Sequence, residues 1–156
     1  MAQDLLAVHR FTHHAMATLF EVMVGGCEEE YSGQAAQAVV KEIDRIERLF
    51  NRFDPSSDIS RINRLEPGQK LSVGVETFEC LAMAEEARRA TAGAFDINVR
   101  ALVKYKGRGT PPSLDLVRTS GGFEAGLPAV EAGGLGPLEL DLGGIGKGYA
   151  LDRVLD

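Results

Sequence analysis

One long apolar stripe limits the folds open to this chain more than any other feature. Between Gly33 and Phe53, Ala36, Val39, Val40, Ile43, Ile46, Leu49, Phe50 and Phe53 recur at three- and four-residue steps. That spacing lines one face of an α-helix. Glu42, Asp44, Arg45, Glu47 and Arg48 fall mostly off the stripe. A second stretch, Val75 to Ala92, carries Phe78, Leu81, Ala82, Ala84 and Ala87 at helical spacing. Asp54-Pro55 closes the first helix, because a residue before proline disfavours the helical region. Gly93 is expected to stop the second as a left-handed cap. Each helix must cover its stripe with another layer. The remaining apolar segments are short and alternate, the period of strands. Leu19, Glu21 and Met23 oppose Phe20, Val22 and Val24 within Phe11 to Val24, a strand pair or one long strand. Lys70 to Val75 is a short strand, and Leu138, Leu140 and Leu142 alternate with Glu139 and Asp141 in another. The expected fold class is α+β: a mixed, mostly antiparallel sheet with two long packing helices, 34–53 and 76–92.

Composition narrows the function classes. A chain of 156 residues with 44% hydrophobic and 26% charged residues has the length and make-up of one globular domain. A net charge of -6 argues against nucleic acid as a partner, since phosphate backbones need a basic face. No apolar run is long enough for a membrane span. Cys27 and Cys80 match neither a metal spacing nor a CxxC pair. His9 and His13 are four apart, yet no third ligand accompanies them. Cys27 to Ser32, with three successive glutamates, is read as a solvated loop, and the basic run Lys104 to Gly109 as a solvent-facing one. Thr110 to Ser113 is a loop leading to a short helix, and Gly121 to Gly136 is strand fragments with a turn.

The chemistry concentrates near residue 145. After the alternating leucines come Gly143, Gly144, Gly146 and Gly148, with Lys147 between the last two. The stretch reads as strand, glycine turn and helix start. Amides at a helix N-terminus attract phosphate, a lysine adds a full charge, and glycine lets a ligand approach the backbone. A Walker loop is excluded, because Asp141 and Gly148 occupy positions where it needs Gly and Ser or Thr. A Rossmann fingerprint is excluded, because Tyr149 stands where its third glycine belongs. A turn with glycines for tight bending only remains an alternative. Two further polar groups stand out. Ser57, Asp58, Ser60 and Asn63 are one; there Ser57 or Asp58 can cap a short helix. Asp96, between apolar neighbours, is the other; it needs a donor or a ligand when buried.

Four blocks in order resemble one family. Asp141-Leu142-Gly143-Gly144-Ile145-Gly146-Lys147-Gly148-Tyr149-Ala150-Leu151-Asp152 is similar to the D-L-G-[GA]-I-[AG]-K-G-Y-[AV]-x-D signature of ApbE-type flavin transferases (FAD:protein FMN transferases). Met16-Ala17-Thr18 resembles the family's M-G-T block, with Ala17 at the glycine. Phe50 to Asn63 resembles its aromatic S-[DE]-[IL]-S-x-[IL]-N block. Thr91 to Val99 resembles T-x-G-[AL]-F-D-[PI]-T-[VL], with Asn98 at the usual threonine. The resemblance implies an ApbE-like fold and a protein that binds FAD, cleaves its pyrophosphate with Mg²⁺, and moves FMN onto a Thr or Ser of a flavin acceptor protein. It implies Lys147 and Asn63 as catalytic residues. It places Met16, Thr18, Asp96, Asn98, Gly146, Lys147 and Gly148 against the nucleotide, and gives the Gly144 carbonyl to the metal. Residues 1–156 match the N-terminal part of the family domain. The family's later D-A-x-x-T block, which carries its remaining metal ligands, and its downstream H-x-x-D-P-x-T-G block are not among them. These residues are then a piece of a longer chain, or their implied partner is a separately encoded C-terminal half or a second copy of the chain. The alternative is a non-catalytic subunit that binds a flavin nucleotide or a partner. Many members are exported lipoproteins; Met1 to Arg10 has no lipobox-like start and no signal-peptide pattern, so the expected location is the cytoplasm.

Overall fold

The computed structural model describes residues 7–98, 103, 113–129 and 138–155. The chain divides into two compact units, Met1–Glu47 with Lys147–Asp156, and Arg48–Gly146.

The first unit is built on a hairpin. Strands β1 (Val8–Ala15) and β2 (Thr18–Gly25) pair antiparallel, in register from Val8↔Gly25 to Ala15↔Thr18. Of the two expected arrangements, a strand pair or one long strand, the pair is present, three residues longer at its start and one at its end. Met16 and Ala17 form the loop, both with positive φ, 49° and 57°. Two left-handed residues make the hairpin turn whose twist suits the flanking strands. Helix α1 (Glu29–Phe50) supplies the covering layer. Its Ile43 packs with Ala15 and Phe20, and Met16, Val39 and Val154 surround them. Polar ties reinforce this contact. The Glu47 carboxylate accepts the Met16 N–H at 2.6 Å, and His13 Nε2 meets Asp44 Oδ1 at 2.6 Å.

The bounds of α1 differ from the expected 34–53 for local reasons. Glu29 and Glu30, read as loop, occupy its first turn, where the positive end of the helix dipole favours carboxylates. The Ser32 hydroxyl and N–H both bond the Glu28 carbonyl at 3.0 Å. At the other end, the Asn51 side chain takes the Phe53 N–H at 3.0 Å, a local bond that competes with helix continuation. Phe53, counted in the apolar stripe, is consequently outside the helix and 76% exposed.

Ala17 carries a cost that glycine would not. A left-handed conformation costs an L-residue about 1–2 kcal/mol, whereas glycine gives back about 0.5–1 kcal/mol in unfolded-chain entropy. Ala17→Gly should therefore raise stability by about 0.5–1 kcal/mol. Urea unfolding measures this, and an unchanged or lower midpoint would count against the turn geometry.

The second unit holds β3 (Lys70–Val73), β4 (Asp115–Thr119) and β5 (Gly122–Gly126) in one antiparallel sheet, order β3-β5-β4. Helix α3 (Val75–Ala90) lies against it, after the short α2 (Asp58–Ile62). The Phe78 ring of α3 and the Phe123 ring of β5 are 4.8 Å apart, and the Arg118 guanidinium sits 5.4 Å from each. Ser57 caps α2 by accepting the Ser60 N–H at 3.0 Å. Asp58, the other capping candidate, instead serves α3. It accepts from the Thr77 hydroxyl at 2.7 Å and the Gly74 N–H at 3.3 Å. Gly74 is the N-cap of α3 and has no side chain to offer; the Asp58 carboxylate ties α2 to the start of α3 through Gly74 and Thr77.

Three expectations are corrected here. Helix α3 ends at Ala90, and Ala92 (φ 52°) is the first left-handed residue, one before Gly93 (φ 83°). The Gly93 N–H bonds the Arg88 carbonyl and the Ala92 N–H that of Arg89, the paired bonds of a Schellman stop. Asp115–Thr119 is a strand where a short helix was expected; β-branched Val117 and Thr119 suit a pleated surface, and β5 provides its partner. Leu138 to Leu142 is in no sheet among the described residues, although Asp141 is extended. The α+β class, the antiparallel pairing and the two long helices stand; among the described residues the strands form two sheets, β1-β2 and β3-β5-β4. No described helix is long and apolar enough to cross a membrane. The basic run Lys104 to Gly109 and residues 130–136 lie outside the described residues.

Candidate functional site

The segment leading into the glycine turn is suspended by side chains. Leu138, Leu140 and Leu142 are buried, at 2–3% exposure, so the backbone between them needs partners. Asn98 Oδ1 accepts the Glu139 N–H at 2.8 Å. Asn63 Oδ1 accepts the Leu140 N–H at 2.8 Å, and its Nδ2 donates to the Leu140 carbonyl at 3.1 Å. The Ile97 carbonyl accepts the Asp141 N–H at 2.8 Å. Two asparagine amides and one carbonyl thus do the work of a neighbouring strand. Each amide can stand only one way round, because its oxygen must face a backbone N–H. Asn98 Nδ2 is buried and has no partner among the described residues.

The turn itself is the 3₁₀ segment Leu142–Gly144, followed by helix α4 (Gly146–Leu155). Asp141 caps it, with Oδ1 accepting the Gly143 N–H at 2.9 Å. Its Oδ2 is 2.9 Å from Arg52 Nε. Two of the glycines are explained by close packing. A Cβ at Gly144 would lie 3.3 Å from the Phe95 ring, and one at Gly146 would lie 3.2 Å from the Phe50 ring. Gly148 has nothing within 4 Å of where a Cβ would stand. It sits exposed in the first turn of α4, where backbone amides lack intrahelical acceptors. That combination of helix start, missing side chain and neighbouring Lys147 suits an anionic ligand.

The expected site residues divide between the units. Asn63, Asp96, Asn98, Gly144 and Gly146 belong to the second; there Asn63 and Asn98 bond the successive residues Leu140 and Glu139, and Asp96 bonds Asn98. Asp96 Oδ1 accepts the Asn98 N–H at 2.7 Å, so its donor is a backbone amide two residues on, and it shapes the loop that presents Asn98. Asn63, expected as a catalytic group, spends both ends of its amide on Leu140. Met16, Thr18, Lys147 and Gly148 belong to the first unit: Met16 in the hairpin turn, Thr18 opening β2, and the other two in α4.

The described residues do not by themselves fit Mg²⁺. They contain no group of three or more His, Cys, Asp or Glu that could hold an ion, and the Gly144 carbonyl is one oxygen where magnesium wants six. Cys80 is no nucleophile, since burial pushes its thiol up to about 12. One residue of the site went unremarked in the sequence: Arg52. The available signal was an arginine beside Phe53 where the apolar stripe of α1 gives out.

A sequence model of the ApbE family matches residues 16–156. An FAD:protein FMN transferase of Chlamydia muridarum is 29% identical over 140 residues, covering 78% of this chain and 42% of that protein. One from Chlamydia trachomatis serovar D is 32% identical over 141 residues, covering 81% of this chain and 45% of that protein. The chain thus spans under half the length of these relatives. Among solved structures, the ApbE protein of Thermotoga maritima superposes with a TM-score of 0.72 at 23% identity, over 95% of this chain and 51% of that one. Pseudomonas stutzeri flavinyl transferase ApbE, apo form, gives 0.72 at 22% identity, over 96% and 51%. At that identity the superpositions establish the fold.

Proposed function

This chain belongs to the ApbE family, and we propose that residues 1–156 are the N-terminal part of a flavin transferase domain that moves FMN from FAD to a Thr or Ser of an acceptor protein. The observation that carries this reading is the Asp141 to Asp152 stretch, a capped glycine turn opening into α4 and hung on Asn63 and Asn98.

In the proposed reaction the acceptor hydroxyl oxygen bonds to the FMN-side phosphorus of FAD. The pyrophosphate P–O bond breaks, AMP leaves with its electron pair, and the hydroxyl proton is released. The roles left to this chain are binding and positioning. The Lys147 ammonium and the amides around Gly146 and Gly148 would hold pyrophosphate oxygens, where charge builds in the transition state. Met16, Thr18, Asp96 and Asn98 would lie along the nucleotide. Magnesium would neutralise phosphate charge when bound. We assign its ligands beyond the Gly144 carbonyl to the portion of the family length that these residues do not span, carried either in the same polypeptide or in a separate one. A cytoplasmic setting is part of the proposal and agrees with two free thiols, Cys27 and Cys80.

The alternative is a subunit that binds a flavin nucleotide without catalysis, favoured by the absence of a carboxylate cluster among the described residues. Lys147→Ala tests the nucleotide site common to both readings. Loss of one charge-assisted phosphate contact costs about 1.5–3 kcal/mol, so FAD affinity in a titration with Mg²⁺ should fall about tenfold or more. Unchanged affinity would remove Lys147 from the site.

A further inference from the structure

We infer that Arg52 is a positioning residue: it holds the Asp141 carboxylate against the glycine turn and offsets its negative charge there. The inference rests on the reading of that turn as the pyrophosphate site. Asp141 is bound at both oxygens, Oδ1 to the Gly143 N–H at 2.9 Å and Oδ2 to Arg52 Nε at 2.9 Å. The pair is partly sheltered, with side chains 24% and 32% exposed, so solvent screens it less than an open surface pair. Arg52 is itself held in place. Its guanidinium lies 3.9 Å from the centroid of the Phe53 ring, a stacked cation–π geometry. This accounts for an aromatic side chain left 76% exposed just after α1.

The chemistry poses a problem that the pair answers. Asp141 caps the turn, but a carboxylate there repels the phosphates that the turn would receive. A guanidinium on its second oxygen keeps the cap and cancels the repulsion. Lysine would keep the charge but lose the flat stacking face.

The test is a set of variants of the full chain: Arg52→Ala, Arg52→Lys, Asp141→Asn, and Arg52→Ala with Asp141→Asn. Folding is checked by circular dichroism, FAD affinity by titration with Mg²⁺, and Gly143 N–H exchange by NMR. Arg52→Ala should weaken FAD binding about tenfold and speed Gly143 exchange at least about threefold. Arg52→Lys should recover most of the affinity. The double variant should bind FAD more tightly than Arg52→Ala alone, because asparagine still caps Gly143 and carries no charge. A merely structural arginine predicts the reverse, with the double variant no better than the single one, and that result would overturn the inference. If the unsubstituted chain binds no FAD, the reading of the turn as a pyrophosphate site falls. Gly143 exchange then decides the placement of Arg52 alone, an unchanged rate in Arg52→Ala refuting it.

Discussion

With FAD, Mg²⁺ and an acceptor domain, these 156 residues alone are expected to transfer no FMN above background. Magnesium takes near-octahedral oxygen coordination and sheds water reluctantly. Among the described residues no cluster of acidic or imidazole side chains exists to hold it, and a single carbonyl at Gly144 binds it too weakly to matter. Phosphoryl transfer depends on positioning and on neutralising phosphate charge. Losing one preorganised electrostatic group costs about 10²–10³ in rate, and here the whole ion is at stake. Supplying the remaining family length, fused or as a separate chain, should restore Mg²⁺-dependent FAD cleavage and FMN transfer together, measured by AMP release and by flavin fluorescence on the acceptor. Turnover by the 156 residues unaided would refute the account of an incomplete metal site. FAD binding without any transfer, even with the remaining length supplied, would favour the non-catalytic alternative.

Asn63→Ala should destabilise the protein by about 2 kcal/mol or more. The substitution strips two partners at once, the acceptor for the Leu140 N–H and the donor to its carbonyl. Each polar group left unsatisfied away from water costs about 1–3 kcal/mol. Leu140 is 2% exposed, so water offers only partial replacement. Asn63→Asp is the informative companion. It keeps the acceptor for the N–H but sets a carboxylate against the Leu140 carbonyl, so it should be at least as damaging at neutral pH. Denaturant unfolding measures both. A change under about 0.5 kcal/mol for Asn63→Ala, the range of ordinary surface substitutions, would mean that the Leu140 backbone is satisfied in another way. Whatever FAD binding remains in these variants then reports how far the turn depends on its suspension.

Much of the fold was legible because it is periodic. The stripe from Ala36 to Phe50 is a local property, and any helix built from it must bury Ile43 and Ile46, both fully buried. Extended structure was legible from the alternation of Phe20, Val22 and Val24; that it folds back into a hairpin at Met16 and Ala17 was not. Misread ends had causes that periodicity does not carry: glutamates drawn into the first turn of α1, and an Asn51 side chain that takes a backbone N–H. The strand Asp115–Thr119 was missed because a short strand next to a proline-rich loop says little until β5 is there to pair with it.

The sequence by itself determined the two amphipathic helices, the antiparallel α+β class, and which residue types stand at the glycine turn. It singled out Asn63, Asp96 and Lys147 by chemistry, and Asn98 through the resemblance to the family. Only the tertiary structure decided what those side chains bond to. Leu138 to Leu142 has the alternation of a strand, and alternation reports which side chains are buried, not where the backbone N–H groups go. Their partners come from afar: Asn63 is 77 positions from Leu140, and Asn98 is 41 from Glu139. Arg52 and Asp141 likewise meet only through folding. A hydrogen bond of about 3 Å between such residues depends on the placement of whole elements, and no local pattern encodes that distance.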